Sequence, residues 1–491
     1  MRARGIRNGR SAASAVISAR LSDHVALEAR ADGKILVDFG GYSIGLGTFS
    51  ADAGGRAREL RTGLPLAALG RSRRKSDKEL ELLVRRLARQ GFLEYRLRRA
   101  GTGDDLLVIE PQVADYWPRA APLADADTLV LSRFAYLRRR GRELVLESPR
   151  AGALFRICDP DIAAALAALT TPQPVQQQLR RKHGAAGLEL LALLLDCQIL
   201  FKAKAADGGL RPSEGDHDLV LWDFHDLLFH SRSTEGRHAN PIGGTYPHAG
   251  AIAPLPAVRP RWPGNKIDLS DAATTPAPLS TVAQLLRARH STRSFDDGEP
   301  VTLAELAQFL DGTARVLSSG ESPIDEGGGG PVVGYTARPY PSAGASYELE
   351  LYLAVNLCAR LERGFYHYDA GAHALTLISA ATPELEALLA AGQAAMGAPA
   401  LPQILITIAG RFGRMSWKYS SLAYRLILED AGVLLQSFYL MTAGLGLGGC
   451  AVGIANIDLF ARLTGIAFHV EGPVGQFALG GITRSRNPTA R

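Results

Sequence analysis

Residues 411–453, RFGRMSWKYSSLAYRLILEDAGVLLQSFYLMTAGLGLGGCAVG, decide how the rest of the chain is arranged. From 422 to 445 the stretch is apolar nearly all the way round. Leu422, Leu426, Leu434, Phe438 and Leu445 fall on one side, and Ile427, Leu428, Val433, Leu435 and Leu440 on others. A helix with no wet face belongs in the middle of a domain or of an interface. At ~1.5 Å per residue it is roughly 35 Å long, enough to run through a whole domain. Trp417, Lys418, Tyr419 and Ser420 stand just before it, and Gly444, Gly446, Gly448 and Gly449 at its far end. The helix therefore separates a polar quartet with a candidate reactive pair from a backbone platform.

The 491 residues leave room for roughly two to four domains. Apolar content of 46% and charged content of 21% are those of an ordinary globular chain. No apolar run reaches the ~18 charge-free residues of a membrane span, because the long helix carries Arg425, Glu429 and Asp430. The basic N-terminus has no uninterrupted apolar core of a signal peptide. Cys158, Cys197, Cys358 and Cys450 show no CxxC spacing, so buried thiols in a reducing cytoplasm are expected. The net charge is +6, with its excess in Arg71, Arg73, Arg74, Lys75, Arg85 and Arg86 and in Arg138, Arg139, Arg140 and Arg142. That asymmetry fits either an acidic partner or a solvated basic face.

Residues 24–49 alternate and turn like a small β-meander. Ser76 and Glu79 form an S-x-x-E capping box ahead of a helix with Leu80, Leu83, Val84 and Leu87 at helical spacing; Gly91 stops it and 92–97 reads as a strand. Helix, glycine, strand is the ending of a winged-helix unit. The order returns in a hairpin over 129–149, two helices broken at Pro172 and Pro174, and a helix then strand over 188–204. Two tandem winged-helix-like modules are expected, 1–110 and 125–204. A DNA-reading helix should be rich in Arg, Lys, Asn and Gln; only QQQLRRK (176–182) comes close, so nucleic acid is not an expected partner. Residues 205–280 read as a proline-rich ordered connector packing over the next domain. Its His225 and His230 are five apart and do not share a helical face as a zinc pair would, so no metal is expected. DEGGGGP (325–331) reads as a mobile loop.

From about 281 to 491 the texture is α+β. Thr281 with Gln284 and Thr302 with Glu305 cap two helices, the first delivering RHSTRSF (289–295). Strands are expected over 348–356, 402–410, 449–453 and 474–481, and a hairpin over 364–378 turning at Ala370 and Gly371. Arg289 and Arg293 flank the hydroxyl of Ser291, a combination suited to bidentate phosphate binding. PSAGAS (341–346) offers small residues where a flat ligand can lie against backbone amides, and GLGLGG does the same opposite. Arg484 and Arg486 follow the last strand and can close on a phosphate. Gly444, Gly446 and Gly449 match G-x-G-x-x-G literally, but a helix precedes and a strand follows, the reverse of the dinucleotide fingerprint.

The order R-x-S-x-R-x-F, P-S-A-G-A before an alternating strand, the long helix and then G-L-G resembles the FMN-dependent nitroreductase-like fold over 279–486. The Lys418 and Tyr419 pair, the WDFHDLLFH connector (222–230) and the N-terminal modules resemble, more narrowly, the SagB/ThcOx-type azoline dehydrogenases. Those enzymes oxidise thiazolines and oxazolines in ribosomally made peptides to thiazoles and oxazoles. The resemblance implies an FMN cofactor, with Arg289, Ser291 and Arg293 on its phosphate and ribityl chain. It implies Pro341, Ser342, Ala343 and Gly344 near the isoalloxazine ring, backbone contacts from Gly448 and Gly449, and a phosphate contact from Arg484 or Arg486. His290, where many nitroreductases have a second arginine, is grouped with the cofactor-binding residues. Also implied are a homodimer with the flavin at the subunit interface, an azoline-containing precursor peptide, and a cyclodehydratase complex as a further partner.

Aromatising an azoline removes a proton from the carbon alpha to a carbonyl and a hydride from its neighbour, so the protein must supply a base. Lys418 and Tyr419 are adjacent and project about 100° apart, close enough to flank one pocket. Their ordinary pKa values of ~10.4 and ~10 call for a pocket in which Lys418 favours the phenolate of Tyr419. Without the family pattern, Lys418 is a surface lysine and Tyr419 a core aromatic. Two other readings stand beside this one. The first is a generic NAD(P)H-driven flavin reductase of nitro compounds or quinones, and the second a winged-helix transcription regulator with a ligand-sensing C-terminal domain.

Overall fold

A computed structural model describes residues 15–39, 41–69, 74–180, 187–203, 213–239, 281–323, 332–419 and 422–483. The chain forms two compact units, Met1–Ala239 and Asn240–Arg491.

In the N-terminal unit the helix Lys75–Arg89 buries Leu80, Leu83, Val84 and Leu87, one stripe at helical spacing. Gly91, at φ +71°, turns the chain into the strand Leu93–Arg99, which pairs antiparallel with Ala15–Leu21 and Asp105–Pro111. The meander is a separate sheet of Val25–Ala29, Lys34–Phe39 and Tyr42–Thr48. Ser76 is not the cap: the helix starts one residue earlier, and Glu79 accepts the Ser50 amide at 3.0 Å. That carboxylate caps the preceding short helix's entry rather than its own helix.

The two expected modules are not independent bodies. One antiparallel sheet runs in the order Leu64–Pro65, Ala15–Leu21, Leu93–Arg99, Asp105–Pro111, Ala153–Ile157, Glu143–Glu147, Tyr136–Arg140. Each hairpin alone would leave an open edge of unpaired backbone groups, and pairing Asp105–Pro111 with Ala153–Ile157 removes both. Residues 213–239 also belong to this unit and not to the domain that follows. Glu214, buried, accepts from the Ser132 hydroxyl at 2.7 Å and the Arg133 amide at 2.6 Å, and meets Arg150 at 3.1 Å. A buried carboxylate that has found its cation is costly to remove, and it pins the connector here. Residues 240–280 and 325–331, expected as connector and loop, lie outside the described residues.

Part of the basic asymmetry is neutralised from within. Arg138 meets Glu147 at 2.6 Å, Arg140 meets Glu110 at 2.6 Å and Glu143 at 2.9 Å, and Arg85 stacks 3.6 Å from the centre of the Trp117 ring. Cys197, Cys358 and Cys450 are buried free thiols, but Cys158 is exposed.

The C-terminal unit is a six-stranded antiparallel sheet ordered Ala374–Ala380, Gly364–Asp369, Leu349–Val355, Ile404–Arg411, Glu471–Gly480, Gly448–Val452. The helix Leu303–Ala314 opens with the expected Thr302–Glu305 capping box. The helix Thr281–Ala288 starts at Thr281, and residue 280 before it lies outside the described residues. The long helix, Ala423–Leu445, packs on the sheet and on Leu303–Ala314, with Phe438 5.0 Å from Phe309 and 5.3 Å from Phe477 between ring centres. It is not covered all round: Tyr424, Ile427, Ala431, Leu434, Phe438 and Thr442 are buried, whereas Leu422 and Val433 are 44% and 38% exposed. Within one chain the sheet and its neighbouring helices cover one side only, and the other carries Arg425, Glu429, Gly432, Val433 and Gln436, with Val433 its exposed apolar side chain.

Candidate functional site

The PSAGAS segment arrives at the strand Leu349–Val355 through a strained path. Gly344, Ala345 and Tyr347 all have positive φ (57°, 53° and 45°), and a non-glycine residue there is held only by what surrounds it. The holder is Asp430, buried on the long helix. The Ser342 hydroxyl donates to its Oδ2 at 2.8 Å and the Ala343 amide at 2.9 Å, while the Tyr347 amide donates to Ser342 Oγ at 2.9 Å. Glu348, fully buried, places Oε2 3.3 Å from the same hydroxyl. Burial, helped by the charge of Asp430 and opposed by a backbone hydrogen bond, pushes the Glu348 carboxyl up to about 7. Neither acid was assigned a role from sequence, although a carboxylate inside an apolar helix is the signal that marks Asp430.

Glu348 has a pH signature. The folded chain keeps its proton up to about 7, whereas an unfolded glutamate releases it near 4.5, so stability falls as pH rises through that window. Glu348→Gln is expected to flatten this fall in urea-unfolding midpoints measured from pH 5 to pH 8. A variant with the wild-type slope would place the titration elsewhere.

Lys418 and Tyr419 follow the short helix Phe412–Ser416, their amides bonded to Met415 O at 3.0 and 2.9 Å. Both reach the strained segment. Lys418 Nζ donates to Gly344 O at 2.9 Å and lies 5.3 Å from the Tyr419 ring centre. A Cβ at Gly344 would fall 2.2 Å from Tyr419 Oη and 2.3 Å from Lys418 Nζ, so both functional ends occupy the space a side chain would take. A cavity of about 910 Å³ opens beside them, lined among others by Gly344, Ser346, Tyr335, Arg411, Arg414, Trp417 and Lys418.

The second group sits at the other end of the long helix. Ser291 Oγ is 2.8 Å from Tyr439 Oη, which accepts the Ala451 amide at 2.9 Å, and the Arg289 guanidinium lies 4.9 Å over the Tyr439 ring. Thr292 N donates to Gly449 O at 2.8 Å. A Cβ on Gly448 would meet Thr292 Cγ2 at 2.8 Å, and one on Gly449 would meet Phe477 Cζ at 2.4 Å. These glycines let RHSTRSF and the sheet core pack closely, and the Gly449 carbonyl is already used. Arg293 and His290 are exposed, with His290 Nδ1 3.1 Å from Ala288 O. Among the described residues no carboxylate pairs with Arg289 or Arg293. Arg484 and Arg486 lie outside the described residues. Asp430 and Tyr439 are nine residues apart, so at ~100° and ~1.5 Å per residue they are half a turn out of phase and roughly 13 Å apart along the axis. The two groups therefore hang on opposite flanks of one helix.

The chain is similar to known proteins in both of its units. The family model for the cyanobactin oxidase ThcOx matches residues 129–239, and that for the nitroreductase family matches 286–481. A candidate nitroreductase of Methanocaldococcus jannaschii is 31% identical over 165 residues, which is 34% of this chain and 74% of that protein. Among solved structures, a candidate nitroreductase from Ralstonia eutropha is similar at 24% identity over 48% of this chain and 100% of its own, with a TM-score of 0.33. The Escherichia coli microcin synthetase McbBCD complex with truncated pro-MccB17 bound contains a chain 16% identical, covering 57% of this chain and 100% of its own, with a TM-score of 0.38. With the sequence order, the six-stranded domain and a relative covered over most of its length, this chain belongs to the nitroreductase family as an oxidoreductase of the SagB/ThcOx type.

Proposed function

We propose that the protein is an FMN-dependent dehydrogenase that oxidises thiazoline or oxazoline rings of a peptide to thiazoles or oxazoles. The observation that carries this reading is the convergence of Lys418 Nζ and Tyr419 Oη on Gly344 at the edge of a cavity. Two side chains able to take a proton share one backbone point there, as proton abstraction next to a carbonyl requires.

The residues present suit a flavin mononucleotide. Arg289, Arg293 and Ser291 form a donor set with no carboxylate against it among the described residues, which fits a phosphate. Gly344 brings Lys418 and Tyr419 against its backbone at the edge of the cavity, where a flat ring would lie beside them. When bound, FMN supplies the hydride acceptor. Lys418 and Tyr419 would remove the alpha proton, and Asp430 would hold Ser342 and Ala343 so that the loop stays in its strained form.

Because the two groups lie on opposite flanks of the long helix, a second copy stacked on its exposed side would bring one chain's Gly344 group toward the other's Arg289 group. Homodimerisation is therefore part of the proposal, supported by the exposed Leu422, Val433, Val282 and Leu286. The ThcOx match over 129–239 supports a peptide substrate read by the N-terminal unit with its winged-helix-like elements, and a cyclodehydratase as the partner class that forms azolines.

The purified protein is expected to be yellow, to release FMN on denaturation, and to convert a short thiazoline peptide to the thiazole with loss of two hydrogens by mass spectrometry. A protein that refuses added FMN would overturn the cofactor. Reduction of nitroarenes at the expense of NADPH, with the azoline peptide left intact, would favour the generic reductase.

A further inference from the structure

The cavity beside Lys418 has a one-sided charge. Arg411, Arg414 and Lys418 line it, and no aspartate or glutamate among the described residues does. The adjoining recess, about 410 Å³, adds Arg338 and one acid, Glu321. Two of these cations bond neutral oxygens: Arg414 donates to Gly334 O at 2.9 Å and to Ser346 O, and Lys418 to Gly344 O at 2.9 Å. Arg338 likewise donates to Leu349 O at 3.2 Å. Carbonyls orient these side chains without cancelling their charge. Among the described residues, the ion pair within 4 Å that these cations make is that of Arg411 with Glu350 at 3.6 Å, which His367 also meets at 3.2 Å. Burial, and then the neighbouring Arg411 and Arg338, depress the Arg414 pKa and outweigh the opposing charges of Glu348 and Glu350. This contrasts with the N-terminal unit, where Arg138 and Arg140 find their acids within the fold. On the cavity's rim the Trp417 ring is 53% exposed beside Lys418, a flat apolar surface next to the cations.

Resting on the azoline dehydrogenase reading, we propose that this cavity selects peptides carrying a carboxylate next to the ring to be oxidised. Arg411 and Arg414 receive the carboxylate, and Trp417 covers the adjoining apolar part of the peptide. A charge-assisted, forked contact of this kind is geometrically specific, and a partly open site fixes its worth at about tenfold. Its range is limited by salt, so the selection weakens as ionic strength rises.

The test uses the full-length, FMN-loaded protein and two short thiazoline peptides that differ only in glutamate or glutamine after the ring. The wild type is expected to favour the glutamate peptide about tenfold in kcat/KM, chiefly through KM, with the preference shrinking in high salt. Arg411→Gln is expected to bring the ratio close to one. Equal kcat/KM for both peptides in the wild type, or a tenfold ratio untouched by Arg411→Gln, overturns the proposal. If neither peptide is oxidised, the corresponding thiazole peptides are titrated instead, with calorimetric heat of binding as the readout. Tighter binding of the glutamate form, lost in Arg411→Gln, then upholds the cavity's selectivity and removes the dehydrogenase reading. Equal binding, or none, removes the selectivity itself.

Discussion

Replacing Lys418 by alanine or Tyr419 by phenylalanine is expected to leave the protein folded and flavin-loaded while azoline turnover falls about 10²–10⁴-fold, the usual worth of a positioned base. The fold loses little, because Lys418 is exposed and its side chain is anchored on the Gly344 carbonyl. The chemistry loses much, because both ends converge on the space beside Gly344, where either one orients the other. Removing both should therefore cost scarcely more than removing one. Single-turnover bleaching of the flavin by a thiazoline peptide reads this step apart from product release. Wild-type bleaching in the double variant would end the assignment. Other titratable side chains of this domain are poorly placed to replace the pair. Tyr340 is fully buried with its pKa raised by that burial, Tyr347 is buried at a positive φ, and His367 is held by Glu350 at 3.2 Å.

How much of this was legible in the sequence follows from the range of each interaction. Local signals read true: the Thr302–Glu305 box, the turn at Ala370 and Gly371, and the helix-then-strand order that ruled out a dinucleotide fold all depend on a few neighbouring residues. Relations across the fold did not. That Glu79 would bond Ser50, or that Glu214 would hold the connector on Arg150, requires knowing which elements meet. The long helix shows the same limit. Its all-round apolar pattern was plain, but composition cannot tell which side the rest of the chain covers, and Leu422 and Val433 turn out to be exposed. At the site, the small residues of 341–344 and the Lys418 and Tyr419 pair could be picked out, yet Asp430 and Tyr439, which hold the two groups in place, were part of an apolar run with no motif of their own.

Loss of the Arg289 side chain is expected to weaken FMN binding by roughly ten- to a hundredfold, since a charge-assisted contact to a phosphate contributes ~1.5–3 kcal/mol. The structure separates the two arginines of RHSTR. Arg289 is half-buried and oriented by the Tyr439 ring 4.9 Å away, whereas Arg293 is exposed. A preoriented guanidinium loses less side-chain freedom on binding, so Arg289→Ala should cost more than Arg293→Ala. Arg289→Lys should fall between wild type and alanine, because it keeps a charge but neither the fork nor the stacking. Tyr439→Phe adds a different control: it keeps the ring beneath Arg289 but removes the hydroxyl that bonds Ser291 Oγ at 2.8 Å and accepts the Ala451 amide at 2.9 Å. If Ser291 matters through its placement, Tyr439→Phe weakens flavin binding while Arg289 remains in position. Flavin fluorescence titration of the apoprotein gives the four Kd values, with thermal unfolding of each apoprotein showing that the fold is intact. Wild-type affinity in both arginine variants would mean that RHSTR is a surface turn packed on Gly448 and Gly449, and the phosphate would then have to be held from elsewhere.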